Sequence, residues 1–109
     1  MSFHCRDVSL ELARAVRGPW RRICTERPSL GDQLVRAVES VVLNIGEGSR
    51  RRRKSAVYHF EIAAGSATEV EDALRCAEAL GVIALDDIAP ALDLVDRLGG
   101  MLYRLRYPR

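Results

Sequence analysis

The sequence predicts an all-α fold, an antiparallel up-down-up-down four-helix bundle, and three observations carry that expectation. Apolar residues recur in steps of three and four through four separate segments, the period of an amphipathic helix. No segment alternates apolar and polar residues as a half-buried strand does. The connections are short and marked by Gly or Pro, which places successive helices antiparallel and side by side. At 109 residues the chain is one domain, 1–109, with a core of modest size. Its 48% hydrophobic and 29% charged residues exclude an intrinsically disordered chain, and with only 6% aromatic the packing falls to Ala and Leu.

The first helix is expected from about Arg6 to Arg17, with Val8, Leu12, Ala15 and Val16 facing inward. Gly18-Pro19 should kink or break it, because proline removes a backbone donor and crowds the preceding turn. Trp20 and Ile23 then mark a further helical turn or two before Pro28, with Trp20 a packing anchor. The second helix begins with Ser29 as its cap and Pro28 just outside, carries Leu30, Leu34, Ala37, Val38, Val41, Val42 and Ile45 on one face, and ends near Gly48.

The third helix is expected from about Arg53 to Leu80. Phe60, Ala63, Ala67, Val70, Leu74 and Ala77 form a coiled-coil-like seam, and Ala64 and Ala73 widen it into a surface for another subunit. Gly81 closes this helix as its C′ residue. Asp86 or Asp87 caps the fourth, Pro90 lies in or near its first turn, and Ile88, Leu92, Val95, Leu98, Leu102 and Leu105 make its stripe. Gly99-Gly100 in mid-helix calls for close packing as compensation.

The formal charge is +2, but without the five basic residues at 50–54 there are 12 basic against 15 acidic residues, or −3. The basic character is therefore local. No apolar run is long enough to cross a bilayer and no signal-peptide core opens the chain, so a cytoplasmic location without membrane contact is expected. Cys5, Cys24 and Cys76 are odd in number, widely spaced and free of any C-x-x-C pair, which fits reduced structural thiols.

Asp32-Gln33-Leu34, Arg36-Ala37, Ser40-Val41, Asn44-Ile45 and Glu47-Gly48-Ser49, followed by Gly65-Ser66, Glu69, Glu71 and Leu80-Gly81, carry a likeness to a known family. They resemble the signature of bacterial four-helix-bundle proteins encoded in intervening sequences of the 23S rRNA gene. The resemblance spans roughly Leu30 to Ile83. Leu43 and Gly46 stand where that family usually has alanine, Val42 where proline is common, and the segment after the arginines is one residue short. The resemblance implies a homopentamer and kinship with the accessory protein of diversity-generating retroelements, which binds nucleic acid and a reverse transcriptase. RNA or DNA, and a reverse transcriptase or other protein, are thus the partners it implies. Fold-level kinship is a weak warrant for function.

Asn44 and Glu47 lie three residues apart on one side of the second helix, and with Gly48 they read as a structural polar motif that fixes helix packing or a subunit contact. A catalytic reading lacks a matching base or nucleophile. His59-Phe60-Glu61 matches H-x-E without the P-C-x-x-C of a zinc deaminase, and Gly46-Glu47-Gly48-Ser49 lacks P-loop spacing. His59 reads as a surface or interface residue. No enzyme activity, cofactor or metal is therefore expected.

The strongest functional feature is Arg50-Arg51-Arg52-Arg53-Lys54. Adjacent like charges repel, and those at the start of the third helix meet the positive end of its dipole, so a polyanion would relieve a cost. Bundle topology brings Tyr103-Arg104-Leu105-Arg106-Tyr107-Pro108-Arg109 to the same end. Arg50, Arg51, Arg52, Arg53, Lys54, Arg104, Arg106 and Tyr107 are accordingly the candidate nucleic-acid-binding residues of a non-catalytic scaffold or adaptor. The alternative is an assembly module that binds only protein, with the arginines a solvated loop.

Overall fold

The computed structural model describes residues Ser2–Pro108, with side chains from His4 onward. Four helices fill it: α1 (Ser2–Glu26), α2 (Pro28–Ser49), α3 (Arg53–Ala79) and α4 (Leu85–Arg106). Each packs on the next in sequence, and α4 returns against α1 to close the bundle. The 42 × 22 × 18 Å envelope is about one helix long, since 27 residues at about 1.5 Å each make roughly 40 Å. The core runs along the axis through Val8, Leu12, Leu34, Val41, Ile45, Val70, Leu74, Ile88, Leu98 and Leu102.

Of the kink or break expected at Gly18-Pro19, a break does not occur: α1 continues through Pro19 to Glu26. Pro19 denies the Ala15 carbonyl its usual donor. However, Gly18 offers no Cβ to meet the proline ring, and Val16, Pro19 and Ile23 are all buried. That burial offsets the proline penalty. Trp20 is the expected anchor: its indole Nε1 donates to the Gly31 carbonyl at 3.0 Å, tying α1 to the start of α2. The crossing is close enough that a Cβ on Gly31 would overlap Cys24.

Pro28 is the first residue of α2 rather than a residue outside it, and Ser29 makes no cap. Proline suits that position, where an amide would be unpaired in any case. Neither Asp86 nor Asp87 caps α4; its N-cap is Ala84, the two carboxylates sit in the first turn, and Pro90 lies in the second. All six seam residues of α3 are buried. Ala73 is buried and Ala64 half-buried against the same core, so they serve the protomer instead of lying open to a neighbour. Gly99 and Gly100 are exposed, with nothing near Gly99 and only the Arg104 side chain near Gly100, so the expected close packing is absent within the protomer. Of the cysteines only Cys5 is a buried thiol, raised to about 11 by desolvation, whereas Cys76 is exposed.

Candidate nucleic-acid interface

The last turn of α2 sets up one end of the bundle. Ser49 donates its hydroxyl to the Ile45 and Gly46 carbonyls, both at 2.9 Å, and the Arg50 and Arg51 amides reach back to Glu47 and Gly48. The Phe60 ring of α3 lies directly over Gly48: a Cβ there would stand 2.6 Å from Cε1. Glycine is thus what allows α3 to return so closely. Only Arg50, Arg51 and Arg52 span the gap, and Arg53 then opens α3 at φ +26°, the one non-glycine residue with positive φ among those described. The short link throws Arg53 into a conformation that bulky residues rarely adopt.

The expected polar motif resolves into two separate contacts. Asn44 faces α3: its amide donates to the Ser40 carbonyl at 2.9 Å and to Ser40 Oγ at 3.2 Å, while its carbonyl oxygen meets His59 Nδ1 at 2.9 Å. Accepting there places the proton on Nδ1. Ser40 Oγ continues to Ser66 Oγ at 2.7 Å, so four side chains join α2 to α3. Only Asn44 of these was in the predicted motif. His59 is half-buried, held between helices rather than on the surface.

Glu47 turns the other way. It accepts from Arg51 Nε at 2.8 Å and from Arg50 Nη2 at 3.3 Å. The Arg51 hydrogen bond and charge, with Arg50 assisting, hold its carboxyl below the ordinary range. It is therefore an ionised carboxylate at neutral pH with its oxygens engaged, a poor general acid or base.

The arginine run is thereby divided. Arg50 and Arg51 bind Glu47, whereas Arg52, Arg53 and Lys54 have no acidic partner among the described residues. These three, with Ser55 and Val57, line an open groove of about 840 Å³ whose far wall is Arg106 of α4 and Pro108 just beyond it. Arg106 Nε donates to the Leu102 carbonyl at 3.2 Å, and its guanidinium stands 5.4 Å from the Tyr107 ring centre. Tyr107 in turn packs on Tyr103, centroids 4.9 Å apart and planes tilted by 52°.

Arg104 faces the α1 side instead, lining a second groove with Cys5, Met101 and Leu105. Arg50 borders a small groove between α1 and α2 with Arg6, Leu10 and Leu43. All eight predicted cationic and tyrosine residues thus lie at one end, distributed over three sides. Arg6 and the exposed Tyr58 at that end were missed, although the position of Arg6 near the start of α1 was the available signal. Arg109 lies outside the described residues.

No helix among the described residues is long and apolar enough to cross a membrane. No curated protein matches the chain. A crystal structure of a protein of unknown function from the S23 ribosomal protein family of Bacteroides thetaiotaomicron is similar in fold, with a TM-score of 0.85 at 19% identity over 94% of this chain and 98% of that one. At that identity the likeness speaks to fold alone. The family model for the 23S rRNA-intervening sequence protein matches residues 5–104. The motifs along α2 and α3, the four-helix architecture and this match agree: the chain belongs to the 23S rRNA-intervening sequence protein family.

Proposed function

We propose that the protein is a non-catalytic, homo-oligomeric cytoplasmic adaptor, pentameric in assembly, whose basic end engages structured RNA or DNA. One observation carries this reading. Arg52 from the α2–α3 link, Arg53 and Lys54 from α3 and Arg106 from α4 converge on one groove without an acidic partner among the described residues. Cations held together in this way displace the counterions condensed on a phosphate backbone, and their release favours binding. Repetition of the end around a ring multiplies weak contacts into avidity.

Self-assembly draws support from Leu43, 68% exposed, with Leu10 beside it along the α1–α2 groove. The same apolar strip favours the second reading, a module that binds only protein.

The test is binding of the purified chain to labelled structured RNA and to duplex DNA across a salt series. Four cations per protomer give a slope of log K against log salt of roughly −3 to −4. Replacement of Arg50 to Arg53 by Ser abolishes binding in the adaptor reading. Absence of binding at low salt overturns it and leaves the protein-only module.

A further inference from the structure

We infer that the basic end is built for an unpaired strand, with phosphates in the α3–α4 groove and bases stacked on Tyr103 and Tyr107. This rests on the nucleic-acid reading above and specifies its substrate.

The two tyrosines do little for the fold. They are 58% and 54% exposed, although α4 packs through Leu98, Leu102 and Leu105 on another face. Neither phenol makes a hydrogen bond to a described residue. Their spacing of four residues places them one turn apart, and the tilted, contacting pair forms a single aromatic platform. Arg106 joins that platform to the groove: its guanidinium lies against Tyr107 while the same side chain forms the groove wall shared with Arg52, Arg53 and Lys54. Aromatic faces therefore stand directly beside phosphate-binding cations.

That juxtaposition discriminates between nucleic-acid forms. In a duplex the bases stack on one another and offer no face to a side chain, so only the cations engage. In an unpaired strand every base has a free face, and stacking on an aromatic ring adds to the phosphate contacts without regard to sequence. The bundle end is only 22 × 18 Å across, a width over which a flexible strand can bring both phosphates and bases to one surface.

The test uses the full chain and fluorescently labelled oligoadenylate, as RNA and as DNA, each alone and annealed to its complement, at matched salt. The single strands are expected to bind about tenfold or more tighter than their duplexes. The Tyr103→Leu/Tyr107→Leu variant loses that preference through a fall of about tenfold or more in single-strand affinity, and the Phe pair retains it. Both positions are exposed, so an unchanged thermal melt verifies folding. Equal or tighter binding of duplex, or an unaltered single-strand affinity in the Leu variant, overturns this inference and leaves the parent reading standing. Absence of salt-dependent binding to every probe removes both. Comparison of the RNA and DNA arms shows which sugar the strand carries.

Discussion

The turn from α3 to α4 puts glycine where the backbone needs it, whereas the link from α2 to α3 puts arginine there. At the far end Gly81 takes φ +79°, its amide bonds to Glu78 and the Val82 amide to Ala77, both at 2.9 Å, and Val82 and Ile83 are buried. Those paired bonds and the adjoining apolar contact are a complete Schellman closure. At the near end Arg53 takes φ +26°, no side chain caps α3, and its first residues are cations. The glycine closure at the far end stabilises the fold, although α4 there also starts without a side-chain cap, and several choices at the near end oppose it. Local strain and repulsion held by a sound scaffold are what the nucleic-acid reading proposed above expects of a site for a polyanion.

Five changes break or sharpen this contrast. The largest effect on stability concerns the packing beneath the near link, which is tight although the link is strained. Gly48→Ala drives a methyl into Phe60 and should destabilise by about 1–3 kcal/mol. Gly46, two residues earlier, is buried with only the Arg50 side chain nearby, at 3.9 Å, so Gly46→Ala should stabilise by about 0.5–1 kcal/mol through helix propensity. Urea unfolding of the two variants measures both.

Next, Gly81→Ala should lower stability by about 1 kcal/mol, since alanine must adopt the left-handed conformation. Arg53→Gly should not lower it, because relief of the strained φ offsets the flexibility gained. A loss at position 53 equal to that at 81 would erase the distinction between the two connections.

The smallest effect comes from Glu47→Gln. Release of Arg50 and Arg51 should steepen the salt dependence of nucleic-acid binding by about one to two phosphate contacts. Because its arginines lower the folded pKa of Glu47, the pairing contributes stability above the ordinary 4.5, and this is lost as pH falls through the folded value. An acid titration of the parent should therefore show a slightly larger loss than the Gln variant.

What the sequence disclosed follows from where local pattern decides structure. The α3 seam from Phe60 to Ala77 was legible residue by residue, because burial there follows helical period alone. The closure at Gly81 was legible because only glycine suits it. That α1 runs on past Pro19 without a break was not legible, because the burial that offsets the proline penalty comes from across the bundle. Of the partners of Asn44, Ser40 is one turn away within α2, whereas His59 on α3 is tertiary and no local pattern names it. The convergence of Arg106 on Arg52–Lys54 was foreseen from topology, but the capture of Arg50 and Arg51 by Glu47 depended on how α2 ends.

The most direct test of the central claim is a joint measurement on Arg52→Ser/Arg53→Ser/Lys54→Ser: its urea midpoint and its affinity for a labelled RNA, both at low salt and beside the parent chain. The account predicts that binding falls by about a hundredfold or more while the midpoint is unchanged or higher, since removing three cations loses salt-dependent phosphate contacts and relieves repulsion. Retained binding, or a fall in the midpoint, would contradict it.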